Sequence, residues 1–329
     1  MIDKLSRVRR SGIALMAVFT VACGAQQATT APAASDVGIT KDSIAIGATF
    51  PLSGPATAYS AVGKGMQAYF QYINDKGGVN GRKINFTILD DSYNPATTPT
   101  KARELVEQQK VFATFGSLGT APTLATRDYY NQQKVPQLFV FTGSDHWGND
   151  YAQYPYTLGW QPDYQAEGKI YAKDILTKNP NAKIAILYQN DDYGKDYVTG
   201  LKAGLGSKAD SMIIKTATYN AGDPPDMKSQ VSQLAASGAD TFYVVTIPSY
   251  AASALVNAYT SGWKPKSIYL NSVGASTTVI QAVKKALGTD AGTDGIVSTT
   301  YLKDPNDPEQ QSDPGIIKYK DIQIGRAHV

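Results

Sequence analysis

From Ser43 onward, short apolar runs alternate with longer stretches of helical period. Residues 44–50, 84–90, 111–115 and 137–141 are rich in β-branched and aromatic side chains and bounded by Gly, Pro or Asp, which predicts four strands. Between the first two, residues 55–75 set Val62, Met66, Phe70 and Ile73 on one helical face and stop at Gly77-Gly78. Thr98 followed by Pro99 supplies an N-cap and a first helical residue for a helix running to about Gln109. The rhythm resumes after residue 160. Strands are expected at 184–188, 212–218, 241–246, 267–270 and 295–300, and helices near 165–177, 195–204, 225–236, 249–261 and 277–286.

Strand and helix in alternation imply α/β architecture, with parallel sheets covered by helices on both faces. The nine strands split into four and five at residues 143–162, where Gly, Pro, Asp and aromatics break the pattern without a helix. This segment reads as a first crossover between two lobes. Ligands of open α/β sheets bind beyond the carboxyl ends of the strands, which points to loops starting at residues 51, 116, 142, 189, 246 and 271.

The ends carry different signals. Lys4, Arg7, Arg9 and Arg10 precede an apolar run at 13–22 that is shorter than the roughly 20 residues a membrane span needs, so residues 1–22 read as an export signal. The run ends at Cys23, and Thr20-Val21-Ala22-Cys23 resembles the lipobox of bacterial lipoproteins, predicting lipidation of Cys23 and a membrane tether. Residues 23–41 are mostly Ala, Gln, Thr, Ser and Pro, a composition expected of a flexible linker. At the other end, Lys318-Tyr319-Lys320-Asp321 begins an amphipathic helix that stops within a few residues. The alternation looks unfinished there, and the expectation is a C-terminally truncated chain.

Composition removes several function classes. The formal net charge is +3, from 31 basic and 28 acidic residues, and four basic residues belong to the N-terminal cluster, so no nucleic-acid-binding face is implied. One cysteine excludes a disulfide framework, and two histidines at 146 and 328 form no zinc spacing. Ser117 lacks a glycine at 115, so the nucleophile-elbow pattern fails. Gly63-Lys64-Gly65 follows no strand and reads as helix packing rather than a phosphate turn. Asp90-Asp91 reads as a pair of solvated loop carboxylates capping the next helix, and His146 as a histidine without a partner that would make it a base. No enzyme activity, cofactor or metal is expected.

Several of the loops carry recognisable text. Ile46-Gly47, Pro51-Leu52-Ser53-Gly54-Pro55, Gly77-Gly78-Val79-Asn80-Gly81, Asp90-Asp91-Ser92-Tyr93-Asn94-Pro95 and Tyr188-Gln189-Asn190-Asp191-Asp192-Tyr193-Gly194 together resemble the leucine/isoleucine/valine-binding family of ABC-transporter solute receptors. The resemblance covers roughly residues 42–302. It implies a type I periplasmic-binding fold, in which two Rossmann-like lobes joined by three crossovers enclose a ligand cleft. Lobe 1 would comprise residues 42–158 plus 302–329, incomplete, and lobe 2 residues 159–301. The implied function is extracytoplasmic capture of a branched-chain amino acid or related small carboxylate by a monomer, for delivery to ABC permease subunits. The alternative is a ligand-sensing receptor domain uncoupled from transport.

Carried over by position, the resemblance nominates Tyr59 at the cleft edge, Leu118 and Thr120 as binders of a ligand carboxylate, and Phe141, Thr142 and Gly143 as a second contributing loop. It adds Tyr193 as an aromatic cover from lobe 2, and Thr246 and Ile247 in the next loop. One departure matters: where amino-acid-binding members hold the ligand ammonium with an acid, this chain reads Leu270-Asn271-Ser272-Val273-Gly274, placing Val273 or Ser272 there. Burying an ammonium without a partner costs several kcal/mol, so unless Asp191 or Asp192 substitutes, a carboxylate without an amino group competes with an amino acid as ligand.

Overall fold

A computed structural model describes residues 36–324; the expected export signal, Cys23 and most of the expected linker lie outside the described residues. Within residues 36–41, Ile39 bridges Ile44 and the Ala45 amide donates to the Gly38 carbonyl, so this end of the segment expected to be a free linker folds back on the first strand.

The first sheet is built from β1 (Ser43–Phe50), α1 (Ser60–Asp75), β2 (Lys83–Asp90), α2 (Thr98–Arg103), β3 (Ala113–Phe115), α3 (Thr120–Gln132), β4 (Gln137–Val140), α4 (His146–Asn149) and β5 (Thr157–Gly159). The second follows as α5 (Tyr164–Lys178), β6 (Ile184–Gln189), α6 (Asp192–Leu205), α7 (Ala209–Met212), β7 (Ile213–Tyr219), α8 (Lys228–Ala235), β8 (Thr241–Val245), α9 (Pro248–Thr260), β9 (Ser267–Leu270), α10 (Thr277–Leu287) and β10 (Ile296–Val297). Each is a five-stranded, all-parallel sheet, in the orders β2-β1-β3-β4-β5 and β10-β9-β8-β6-β7. The two-lobed α/β expectation holds.

The partition differs in detail. The break at 143–162 holds both a one-turn helix, α4, and a fifth strand, β5, paired with β4. Passage between the sheets is thus confined to the few residues between β5 and α5. A last helix, α11 (Pro314–Ile324), lies back against α1, with Lys318 over the Tyr72 ring. The second passage therefore falls between β10 and α11, and the two passages touch: Gln161 Nε2 donates to Tyr301 Oη at 2.6 Å and Trp160 meets the Tyr301 ring.

Burial explains the strands. β6 and β8 sit centrally in their sheet and read as continuous apolar runs, with Ile184, Ala185, Ile186, Leu187, Phe242, Tyr243, Val244 and Val245 fully buried, as strands covered on both faces must be. Fully burying each large side chain contributes about 1.5–3 kcal/mol. Gly63 is the buried residue of α1, and a Cβ there would meet Ile88 and Phe50, so it lets the helix approach the sheet as helix packing requires. In β4, a register shift leaves Phe139 with φ 53° and half exposed, while Phe141 emerges toward the cleft, bridged to Leu118.

Candidate functional site

Between the lobes lies a cavity of about 400 Å³. Its lobe 1 wall is built by residues following β1, β2, β3 and β4, and its lobe 2 wall by residues following β6, β8 and β9, the carboxyl ends in each sheet. Of the nominated residues, Tyr59, Leu118, Thr120, Phe141, Tyr193, Ile247 and Val273 line it together. Thr142, Gly143 and Thr246 do not; they stand behind the wall. Thr142 Oγ1 lies 2.6 Å from Thr120 Oγ1 and so pairs with a lining hydroxyl. A Cβ on Gly143 would come within 2.2 Å of the Pro162 carbonyl and 2.8 Å of the Tyr164 ring, so its smallness lets Tyr164 pack. Thr246 is fully buried, and its amide donates to Asn271 Oδ1 at 3.1 Å.

Ser272, offered with Val273 for one position, lines the wall beside it, and Tyr93, Gln161, Tyr164 and Tyr301 line it without having been nominated. Tyr93 follows β2, so the carboxyl-end rule extended to the loop after that strand points to it. Its backbone has φ 58°, and the amide donates to Asp91 Oδ1 at 3.0 Å. The neighbouring Asp91 is buried rather than solvated. Burial lifts its carboxyl to about 6, against the hydrogen bonds from Tyr93 and Thr98. Gln161, Tyr164 and Tyr301 come from the interlobe passages and the start of α5, which no local signal marks.

Six aromatic rings, Tyr59, Tyr93, Phe141, Tyr164, Tyr193 and Tyr301, share the cavity. Tyr193 sits edge-on to Tyr164 and Tyr197, and its hydroxyl accepts from Asn271 Nδ2 at 2.6 Å, leaving its own proton to donate. Burial raises the phenols of Tyr59, Tyr93 and Tyr193 well above their ordinary range, which keeps them neutral donors.

At the start of α3, the Leu118 amide, an expected carboxylate donor, is already engaged with the Thr49 carbonyl, and the Gly119 amide beside it donates to the Phe141 carbonyl. No side chain caps this helix, and Pro122 has no N–H, which leaves the Thr120 and Ala121 amides as its first-turn donors. Asp191 and Asp192 do not reach the cavity wall. Asp191 caps α6 through Gly194 N and accepts from Gln189 Nε2, and Asp192 pairs with Lys195 and His146.

Direct bonds join the lobes. Tyr59 Oη donates to the Val273 carbonyl at 2.8 Å, Ser249 Oγ to the Pro55 carbonyl, and the Asp145 amide to Asp196 Oδ2 at 3.2 Å. His146, expected to lack partners, bridges Asp150 at 3.0 Å and Asp192 of the other lobe at 3.3 Å. Arg127, buried between the Trp147 and Tyr154 rings, holds Asp150 and the His146 carbonyl. Among the described residues, no group of three His, Cys, Asp or Glu could hold a metal ion, and no helix is long and apolar enough to cross a membrane.

Comparison with known proteins gives this arrangement a family. The Leu/Ile/Val-binding protein homolog 7 of Brucella abortus is 26% identical over 280 residues, 83% of this chain and 67% of that relative. The substrate-binding periplasmic protein of Ralstonia solanacearum superposes with a TM-score of 0.74 at 22% identity, covering 86% of this chain and 76% of its own. The fatty acid ABC transporter substrate-binding protein of Thermomonospora curvata gives 0.74 at 21%, covering 89% and 72%. Both structures share the fold of two α/β lobes. The model of the periplasmic binding protein family matches residues 43–313, and the chain belongs to that extracytoplasmic family.

Proposed function

We propose that this chain is the solute-binding component of an ABC importer, capturing a small carboxylate, a branched-chain amino acid or a related acid, and presenting it to permease subunits. The observation that carries the reading is the cavity walled by both lobes at the carboxyl ends of both sheets, in a chain whose curated relative is named for leucine, isoleucine and valine. Tyr59, Leu118, Thr120, Phe141, Tyr193, Ile247 and Val273 would contact the ligand, with Thr142, Gly143 and Thr246 supporting them from behind. The lobes, residues 42–158 with 302–329 and residues 159–301, would open and close about the two passages. Ligand bound between them stabilises the closed form by its differential affinity for it. The export signal and a lipidated Cys23 would hold a monomer at the outer face of the membrane.

Isothermal titration of the full chain with leucine, isoleucine, valine and small aliphatic and aromatic acids tests this. Saturable one-to-one binding that Tyr193→Ala weakens is expected. Absence of binding across all of them would remove the solute-binding assignment.

A further inference from the structure

We infer, building on the solute-binding reading, that the cleft takes an organic acid with an apolar or aromatic body and no amino group. No Lys, Arg, His, Asp or Glu lines the cavity. A primary ammonium enclosed there would need a carboxylate or several free carbonyls, and an unpaired buried charge is strongly penalised. A carboxylate directly behind the wall is committed elsewhere. Glu167 on α5 is buried behind Ser272, where Oε1 accepts from Tyr171 Oη at 2.8 Å and the Ser272 amide at 2.8 Å. Its Oε2 accepts from Tyr197 Oη at 2.7 Å and Ser272 Oγ at 2.7 Å. Four donors occupy both oxygens, so this carboxylate serves the wall and not its contents.

Three main-chain carbonyls at or beside the wall are engaged in the same way, whereas the Gln161 side-chain oxygen has no partner and offers an ammonium one acceptor where it needs several. Val273 O accepts from Tyr59, Phe141 O from the Gly119 amide, and Asn271 O from the Gly274 and Ala275 amides. Donors for an anion are present instead: the first-turn amides of α3, the Thr120–Thr142 hydroxyl pair, and neutral phenols on both lobes. The charge pattern of the wall thus complements a carboxylate and leaves a cation unmatched, while six rings enclose an apolar body.

Matched pairs separate the possibilities: leucine against 4-methylpentanoate and phenylalanine against 3-phenylpropanoate, with glycine betaine and choline as quaternary ammonium probes, followed by titration calorimetry and thermal shift. The acid of each pair is expected to bind about 100-fold or more tightly than its amino counterpart. Amino acids binding as well as the acids would overturn the inference and leave the solute-binding reading standing. A preference for betaine or choline would overturn it too, by making the rings a cage for a cation. No binding by any probe would remove both. Val273→Asp places a carboxylate in the wall away from Glu167 and is expected to shift the pair preference toward the amino acid by about tenfold or more. An unchanged ratio in a folded variant would count against the inference.

Discussion

Asp91→Asn offers a test of the electrostatics that hold Tyr93 in the cleft wall. Asp91 is 1% exposed, and burial raises its carboxyl from 3.8 to about 6, while hydrogen bonds from Tyr93 N and Thr98 Oγ1 act in the opposite direction. One pKa step corresponds to about 1.36 kcal/mol, so holding this group ionised above both values costs about 3 kcal/mol. The folded value lies above the unfolded one. The stabilisation tied to the bound proton is therefore fully present below about pH 4 and lost as the pH rises through about 6.

Asparagine fits the same contacts without a charge. Its oxygen can accept from the Tyr93 amide now at 3.0 Å, and its amide can donate to Thr98 Oγ1 now at 3.1 Å, because that hydroxyl can turn its single proton to the Asn94 carbonyl at 2.8 Å instead. Urea unfolding of both proteins across this pH range should give matching stabilities near pH 4, with the variant gaining as the pH rises and leading by up to about 3 kcal/mol near pH 7. A pH-independent offset, or a wild-type protein that leads at neutral pH, would refute the reasoning.

Other perturbations read other parts of the structure. Burial alone would lower the His146 imidazole, but its hydrogen bonds to Asp150 and Asp192 prevail and raise it. The bridge should therefore stabilise at pH below the ordinary imidazole value and fade as pH rises through the raised one. With the ring partly exposed and Arg127 and Lys195 competing for the same carboxylates, His146→Gln should cost about 0.5 kcal/mol at low pH and low salt, and a deficit that persists at high pH would contradict this. Gly143→Ala should destabilise by about 1–3 kcal/mol through overpacking against Pro162 and Tyr164, and a neutral melting temperature would disprove that contact. Tyr59→Phe removes a bond between the lobes worth about 0.5–1.5 kcal/mol, so small-angle scattering should show a larger mean radius of gyration; an unchanged profile would deny that bond a role in closure.

What the sequence made legible follows from how each element is buried. The central strands β6 and β8 announced themselves because both their faces are covered. Helix α3 did not, because the side chains it buries are Thr120, Pro122, Thr123, Thr126, Arg127 and Tyr130, a face with no aliphatic stripe for periodicity to detect. Strand β5 is three residues long with Leu158 half exposed, and β10, expected over 295–300, pairs only at Ile296 and Val297. Such short edge strands owe their existence to a neighbour already in place. The site divides along the same line. Loops just past a strand's carboxyl end were located by topology and their residues nominated through the resemblance, whereas Gln161, Tyr164 and Tyr301 reach the cavity only because the two passages run side by side. Thr142, Gly143 and Thr246 each sit beside a lining residue and carry the wall from behind. In a loop only a few residues long, which neighbour faces the ligand depends on contacts such as Tyr164 against Gly143, and those exist only once both lobes have formed.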